Sequence, residues 1–240
     1  MLCFHGFGQT PTDFLPVLSP YLQEYTFYCI DLTALNRYLL EIGERSLPLP
    51  VWEMQLNLFL SQESINHFEI LGYSLGARLA LATFHLFTSQ VKGVWLVAPE
   101  GLYFNSTFFF ATRTLLGRFL FRWLVMERYE ILQNVIKLCQ KFRFLSTSTA
   151  RFFLKQITTP VKRKLIYDTW LFYAYCMPNI SELRQKIRTF TQSFTIILGT
   201  EDRLISTKKI KNFAKTLPIL SIKELPYSHQ EIFLRFQLKK

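Results

Sequence analysis

A chain of 240 residues that is 50% hydrophobic, 16% aromatic and only 19% charged is long enough for one sizeable core and far too apolar for a disordered segment. Its net charge of +11 points towards anionic partners, but no recognisable nucleic-acid module accompanies the charge, and a nucleic-acid partner is not expected. The four cysteines, Cys3, Cys29, Cys139 and Cys176, form no C-x-x-C pair and read as core thiols in a reducing compartment. Neither an H-E-x-x-H motif nor a glycine-rich phosphate loop with lysine occurs, so no metal and no cofactor is expected. The start, Met1-Leu2-Cys3-Phe4-His5-Gly6, has no basic region followed by an apolar run and a cleavage site, which makes a cytoplasmic location the default expectation. The most apolar long window, Thr107 to Met126, contains Arg113, Arg118 and Arg122. Each arginine would cost roughly 2.5 to 3.5 kcal/mol at a bilayer centre, so this window is not expected to span a membrane.

In chain order, Met1 to Phe4 reads as a short strand ending at His5-Gly6-Phe7-Gly8. Thr10-Pro11-Thr12-Asp13 has the signature of a helix start, with Phe14, Leu15 and Leu18 expected to face inward. Tyr25 to Ile30 reads as a second strand and Trp52 to Leu60 as a helix. Phe68 to Leu71 is a strand running straight into Gly72-Tyr73-Ser74-Leu75-Gly76, and Ala77 to Phe87 is helical. Val91 to Ala98 is a buried strand ended by Pro99. Phe194 to Leu198 and Ile219 to Leu225 supply the last two strands, with an amphipathic stretch, Ser206 to Leu217, between them. Strands that alternate with helices and read as continuous apolar runs predict an α/β protein with a mostly parallel sheet of about six strands and helices on both faces.

The alternation breaks between Tyr103 and Phe190, where apolar and basic residues recur at helical spacing, as in Thr114 to Ile136 and Ala150 to Ile157. The expected organisation is therefore a core of residues 1–102 and 191–240 with a helical cap, 103–190, inserted in it. The insertion carries 15 Lys and Arg against 4 Asp and Glu, and the rest of the chain is balanced. All of the excess charge thus sits in the insertion.

The strand–turn–helix context of Gly72-Tyr73-Ser74-Leu75-Gly76 carries the chemistry. Serine in such a turn has a strained backbone, tolerates only small flanking residues, and projects its hydroxyl over the carboxyl edge of the sheet. Ser74 is the candidate nucleophile. His5-Gly6-Phe7-Gly8 follows the first strand, where a loop N–H can point at a developing oxyanion, and the backbone N–H groups of Phe7 and Leu75 are the candidate donors. His5 itself reads as a loop-stabilising side chain. Asp202 in Gly199-Thr200-Glu201-Asp202 and His229 in Tyr227-Ser228-His229 each follow a late strand, so both emerge at the edge that carries Ser74. Glu201 is a rival for the acid. His67 precedes its strand and His85 lies within the helix after Ser74, so neither reaches the serine easily.

With HGFG, GYSLG, GTED and a final SH spread from residue 5 to residue 229, the sequence resembles the α/β-hydrolase superfamily. The resemblance implies the α/β-hydrolase fold and acyl transfer by Ser74, Asp202 and His229. The segment GYSLGAR is also similar to the elbow of the menaquinone-pathway lyase that makes 2-succinyl-6-hydroxy-2,4-cyclohexadiene-1-carboxylate. That similarity implies a role for Arg78 in binding substrate carboxylates, and Tyr73 and Arg78 are the candidate substrate-binding residues. Two departures stand out. The two N-terminal strands usual in the superfamily are absent, so either the sheet is reduced or the start lies upstream. Asp31-Leu32-Thr33-Ala34-Leu35-Asn36 also replaces the common D-x-P-G-x-G turn.

The expected partner is a small-molecule carboxylic ester or thioester, with an anionic leaving group suited to the basic insertion. The aromatic residues of the insertion, Phe108, Phe109, Phe110, Phe119, Phe121, Trp123, Phe152, Phe153 and Trp170, read either as core or as an apolar acyl slot. Peripheral contact with an anionic membrane through a basic amphipathic helix is a further expectation. A carboxylate-recognising lyase and a non-catalytic binding protein are the alternatives to hydrolysis.

Overall fold

The computed structural model describes residues 1–145, 147–217 and 219–238, with nothing described of the Ser148 side chain. Six strands, β1 (Leu2–Phe4), β2 (Tyr28–Ile30), β3 (Phe68–Tyr73), β4 (Val91–Val97), β5 (Ser193–Gly199) and β6 (Leu220–Leu225), form one sheet in the order β2-β1-β3-β4-β5-β6. Every pairing is parallel. The order reverses between β1 and β3, so the loops leaving their carboxyl ends diverge to opposite sides. A crevice at such a switch point is where open α/β sheets place their sites.

The helices of the core are α1 (Leu15–Leu18), α2 (Leu32–Glu41), α3 (Leu49–Gln62), α4 (Gly76–Leu86), α11 (Thr207–Ala214) and α12 (His229–Arg235). Between β4 and β5 lie α5 (Ser106–Arg113), α6 (Leu115–Arg122), a π-helical turn at Trp123–Glu127, α7 (Tyr129–Lys141), α8 (Thr147–Gln156), α9 (Pro160–Tyr173) and α10 (Ile180–Thr189). Helix α4 is buried along its length from Gly76 to Phe84, the central position of a helix that links adjacent strands β3 and β4. A second, smaller apolar cluster of Val125, Ile136, Ala150, Ile157 and Ile166 holds the insertion together, and Phe7 packs against both clusters.

Several local expectations are corrected. Tyr25 to Phe27 is not strand, because β1, the neighbour it would pair with, begins only at Leu2. Leu15 is 63% exposed, whereas Val17 is buried. The segment opens with a 3-10 turn, Pro11–Phe14, and that tighter winding rotates the following residues relative to an α-helical register. The run Thr114 to Ile136 is not continuous helix. Thr114 is extended and caps α6 through its hydroxyl, which accepts from the Gly117 N–H, and Arg128 leaves helical geometry again. All four cysteines are free thiols, Cys3 and Cys176 buried but Cys29 and Cys139 only half-buried. Of the aromatic residues in the insertion, Phe109, Phe110 and Phe119 are exposed and belong neither to core nor to cavity. Among the described residues no helix is long and apolar enough to cross a membrane.

Candidate active site

Ser74 lies between β3 and α4 with φ of 50°. Left-handed backbone at a non-glycine residue is strained and persists only where the surroundings fix it. Here the Ser74 N–H donates to the Val97 carbonyl at 3.0 Å, and the Ser74 carbonyl accepts from the N–H groups of Ala77 and Glu100, each at 3.1 Å. Strand β4, the loop that follows it and helix α4 therefore clamp the turn. Gly72 and Gly76 allow it: a Cβ on Gly72 would meet the Ala80 side chain, and one on Gly76 would strike the carbonyl oxygens of Phe4 and His5.

The Ser74 Oγ is 2.9 Å from His229 Nε2, and His229 Nδ1 is 2.6 Å from Asp202 Oδ2. The second oxygen of Asp202 accepts from the N–H groups of Leu204 at 2.8 Å and Ile205 at 3.0 Å, so the carboxylate is fixed by its own turn and both of its oxygens are satisfied. Its side chain is nearly inaccessible. Glu201, the rival acid, is exposed. His229 is the first residue of α12, whose N-cap Ser228 is fixed through Glu231; the Glu231 carboxylate accepts from both the N–H and the hydroxyl of Ser228. Tyr73 faces the same cavity, with its ring against His229 and Phe233 and its hydroxyl donated to the His229 carbonyl at 2.8 Å. Burial pushes the Tyr73 phenol well above its ordinary range, which keeps it a neutral donor. The contact holds the backbone of His229, a positioning role that the sequence did not disclose.

The loop after β1 is held by its own side chains. Gln9 Oε1 accepts from the Gly6 N–H at 2.8 Å. His5 Nε2 accepts from the Leu32 N–H at 3.1 Å, and Nδ1 lies 2.9 Å from the Gly6 carbonyl. That pattern requires a neutral ring with the proton on Nδ1. Phe7 and Leu75 line the cavity beside Ser74, and their N–H groups have no hydrogen-bond partner among the described residues.

Burial holds the His5 pKa below the ordinary histidine value despite the nearby Asp31. The folded protein therefore binds fewer protons than the unfolded chain once pH falls below about 6.5. The contribution of His5 is fully present above that pH and is lost on acidification towards its depressed folded value. In urea titrations at successively lower pH, the midpoint of the wild type should fall more steeply below about pH 6.5 than that of His5→Gln. His85, also depressed by burial and by Lys186, contributes to both proteins and cancels in the comparison. Parallel midpoint curves would remove His5 from the account.

The cavity over Ser74 has a volume of about 620 Å³, within the usual range for small-molecule sites. Phe152, Phe153 and Trp170 of the insertion and Phe233 of α12 supply much of its apolar wall, with Arg151 and Lys155 of α8 also bordering it. Arg78 lies in the wall too. Its Nε donates to Glu100 Oε2 at 3.2 Å, and its guanidinium stacks 4.0 Å above the Phe108 ring. His67 and His85 do not border the cavity. Among the described residues no cluster of His, Cys, Asp and Glu could hold a metal ion.

No protein-family model and no curated protein sequence matches the chain. Solved structures resemble it throughout its length. A thermophilic esterase from Thermogutta terrifontis superposes with a TM-score of 0.64 at 12% identity, over 97% of this chain and 83% of the other. A carboxylesterase structure from the thaumarchaeon Nitrososphaera gargenis gives 0.58 at 14%, over 97% and 83%. The thioesterase domain of the curacin biosynthetic pathway also gives 0.58 at 14%, over 97% and 86%. The chain has the α/β-hydrolase fold.

Proposed function

We propose that the protein is a serine hydrolase that cleaves a carboxylic ester or thioester through an acyl-Ser74 intermediate. The observation that carries this reading is the hydrogen-bonded relay from Ser74 Oγ through His229 to Asp202, with the serine held at positive φ. As Ser74 Oγ attacks the substrate carbonyl carbon, His229 Nε2 takes its proton. Asp202 fixes the Nδ1–H tautomer and stabilises the imidazolium. The N–H groups of Phe7 and Leu75 receive the oxyanion. Collapse of the tetrahedral intermediate breaks the bond to the leaving alkoxide or thiolate, which takes the proton from His229. Water, deprotonated by the same imidazole, then attacks the acyl-enzyme and returns the acid and free Ser74. The esterase and thioesterase neighbours share the fold on which this chemistry is arranged.

Labelling with a fluorophosphonate probe, located by peptide mass spectrometry, tests the proposal. A Ser74 adduct together with p-nitrophenyl ester turnover is the expected result; neither adduct nor turnover would overturn it. The apolar wall of Phe152, Phe153 and Trp170 favours an apolar acyl group, and Arg151 and Lys155 favour an anionic leaving group. Arg151→Ala/Lys155→Ala should raise KM for an anionic ester by a few-fold, with little change for a neutral one and a reduced dependence on salt. Equal effects on both esters would exclude that recognition.

A second reading, the carboxylate-recognising lyase, draws support from the position of Arg78 in the cavity wall. It requires His229 and Ser74 for proton abstraction but no acyl-enzyme. The ion pair with Glu100 already offsets the charge of Arg78, which favours hydrolysis of the two. The presence or absence of a covalent Ser74 acyl adduct in quenched turnover mixtures separates them.

A further inference from the structure

The insertion leaves a large apolar face bare. More than half of the exposed large hydrophobic side chains among the described residues fall between Phe104 and Phe144. The densest part is the α5–α6 pair, where Leu115 is 88% exposed, Leu116 61% and Phe119 65%, with Phe109 and Phe110 beside them. Large apolar side chains exposed together on two packed helices of a folded protein mark an interaction site.

The face is built rigidly. Gly117 lies against the Phe110 carbonyl where no Cβ would fit, so α6 packs directly on α5. Two arginines with stems long enough to cover the apolar residues turn the other way. Arg113 stacks on the Tyr175 ring at 3.8 Å and donates to the Ala174 carbonyl, and Arg118 donates to the Thr112 carbonyl and to the Tyr175 hydroxyl. Inwards, Phe108 packs against Trp170 and Arg78. Helix α5 thus has one side towards the cavity wall and the other in solvent.

Charge indicates what covers the face. The insertion holds the whole positive excess of the chain, and the exposed cations that follow the face in the chain, Arg122 at the end of α6 and Arg128 after the π-helical turn, form no ion pair among the described residues. A second copy of the chain would bring two equally basic surfaces together. Nucleic acid would satisfy the cations and leave Leu115, Leu116 and Phe119 in water. A membrane leaflet rich in anionic lipid satisfies both, with apolar side chains below the headgroups and cations among them.

We propose that the α5–α6 face docks the protein on an anionic lipid bilayer, in the manner of an interfacial helix pair that does not span it. The test is flotation of the 240-residue chain with vesicles of phosphatidylcholine containing phosphatidylglycerol, and with vesicles of phosphatidylcholine alone. The protein should float with the anionic vesicles and be released by salt. Leu115→Ser/Phe119→Ser should bind at least about tenfold less at unchanged Tm, and Ser74→Ala should bind as the wild type does, so the outcome is independent of the proposed chemistry. Failure to float, or flotation that the double substitution leaves intact, would overturn the proposal. So would light scattering that shows a dimer which the double substitution dissociates.

Discussion

Substituting Ser74 by alanine is expected to abolish fluorophosphonate labelling and to lower kcat for ester hydrolysis by about a millionfold, with His229→Ala close behind. The expectation follows from the unit they form. The 2.9 Å contact between Ser74 Oγ and His229 Nε2 is useful only when both partners are present, so the combined substitution should cost little more than either alone. Asp202→Asn should cost about ten-thousandfold, because an amide in place of Oδ2 would offer the His229 Nδ1 a donor and favour the wrong tautomer. The Leu204 and Ile205 N–H groups would still hold the Oδ1 position, so the loss would come from the tautomer and not from a collapsed turn. Pre-steady-state assays of the three variants, with circular dichroism as a control for folding, provide the measurement. Turnover that persists in Ser74→Ala at a substantial fraction of wild type would dismiss the acyl-enzyme.

Gly76→Ala should be among the most damaging single-methyl additions in the core, at about 3 to 5 kcal/mol of stability or outright failure to fold. Its Cβ would lie 2.5 Å from the His5 carbonyl oxygen and nearer still to that of Phe4. Neither obstacle is a side chain that can swing aside. Phe4 is locked between Ile30 on β2 and Gly72 on β3, so relief would have to come from moving α4 or the central strands. Gly43→Ala is the informative comparison. No atom lies within 4 Å of its added Cβ, but its φ is 94°, and backbone strain alone should cost about 1 to 3 kcal/mol. Urea midpoints of the two variants measure the difference, and equal losses would show that close approach at the elbow is not what selects glycine there.

The chain order of Ser74, Asp202 and His229 and the strands that bring them to one edge were legible because each depended on local chemistry. Apolar runs located five strands to within two residues. GYSLG could be read as a strand-to-helix turn because two glycines flank a serine at a point where the hydrophobic period changes. What escaped the sequence were features decided at a distance. Helix α2 is anchored by the Tyr173 hydroxyl, which donates to the Leu32 carbonyl, a contact across 141 positions. The anchoring of Tyr73 to the His229 backbone is equally non-local. The fates of the aromatic residues in the insertion were unreadable for a different reason. Phe108 and Phe109 are neighbours of identical chemistry, and only the angle at which α5 meets α9 and α6 decides that one faces the cavity wall and the other faces water.

The π-helical turn at Trp123–Glu127 sets a phase. A π turn accommodates one residue more than the α-helix would, and each residue advances a helix by about 100°. The helix is continuous from α6 through the turn and ends at Arg128, so deleting a single residue ahead of Val125 would rotate that side chain about the axis by roughly that angle. Val125, buried in the turn, would then leave the cluster it shares with Ile136 and Ile166. The extra residue is thus what keeps one apolar side chain pointing inward at the point where α6 hands over to α7.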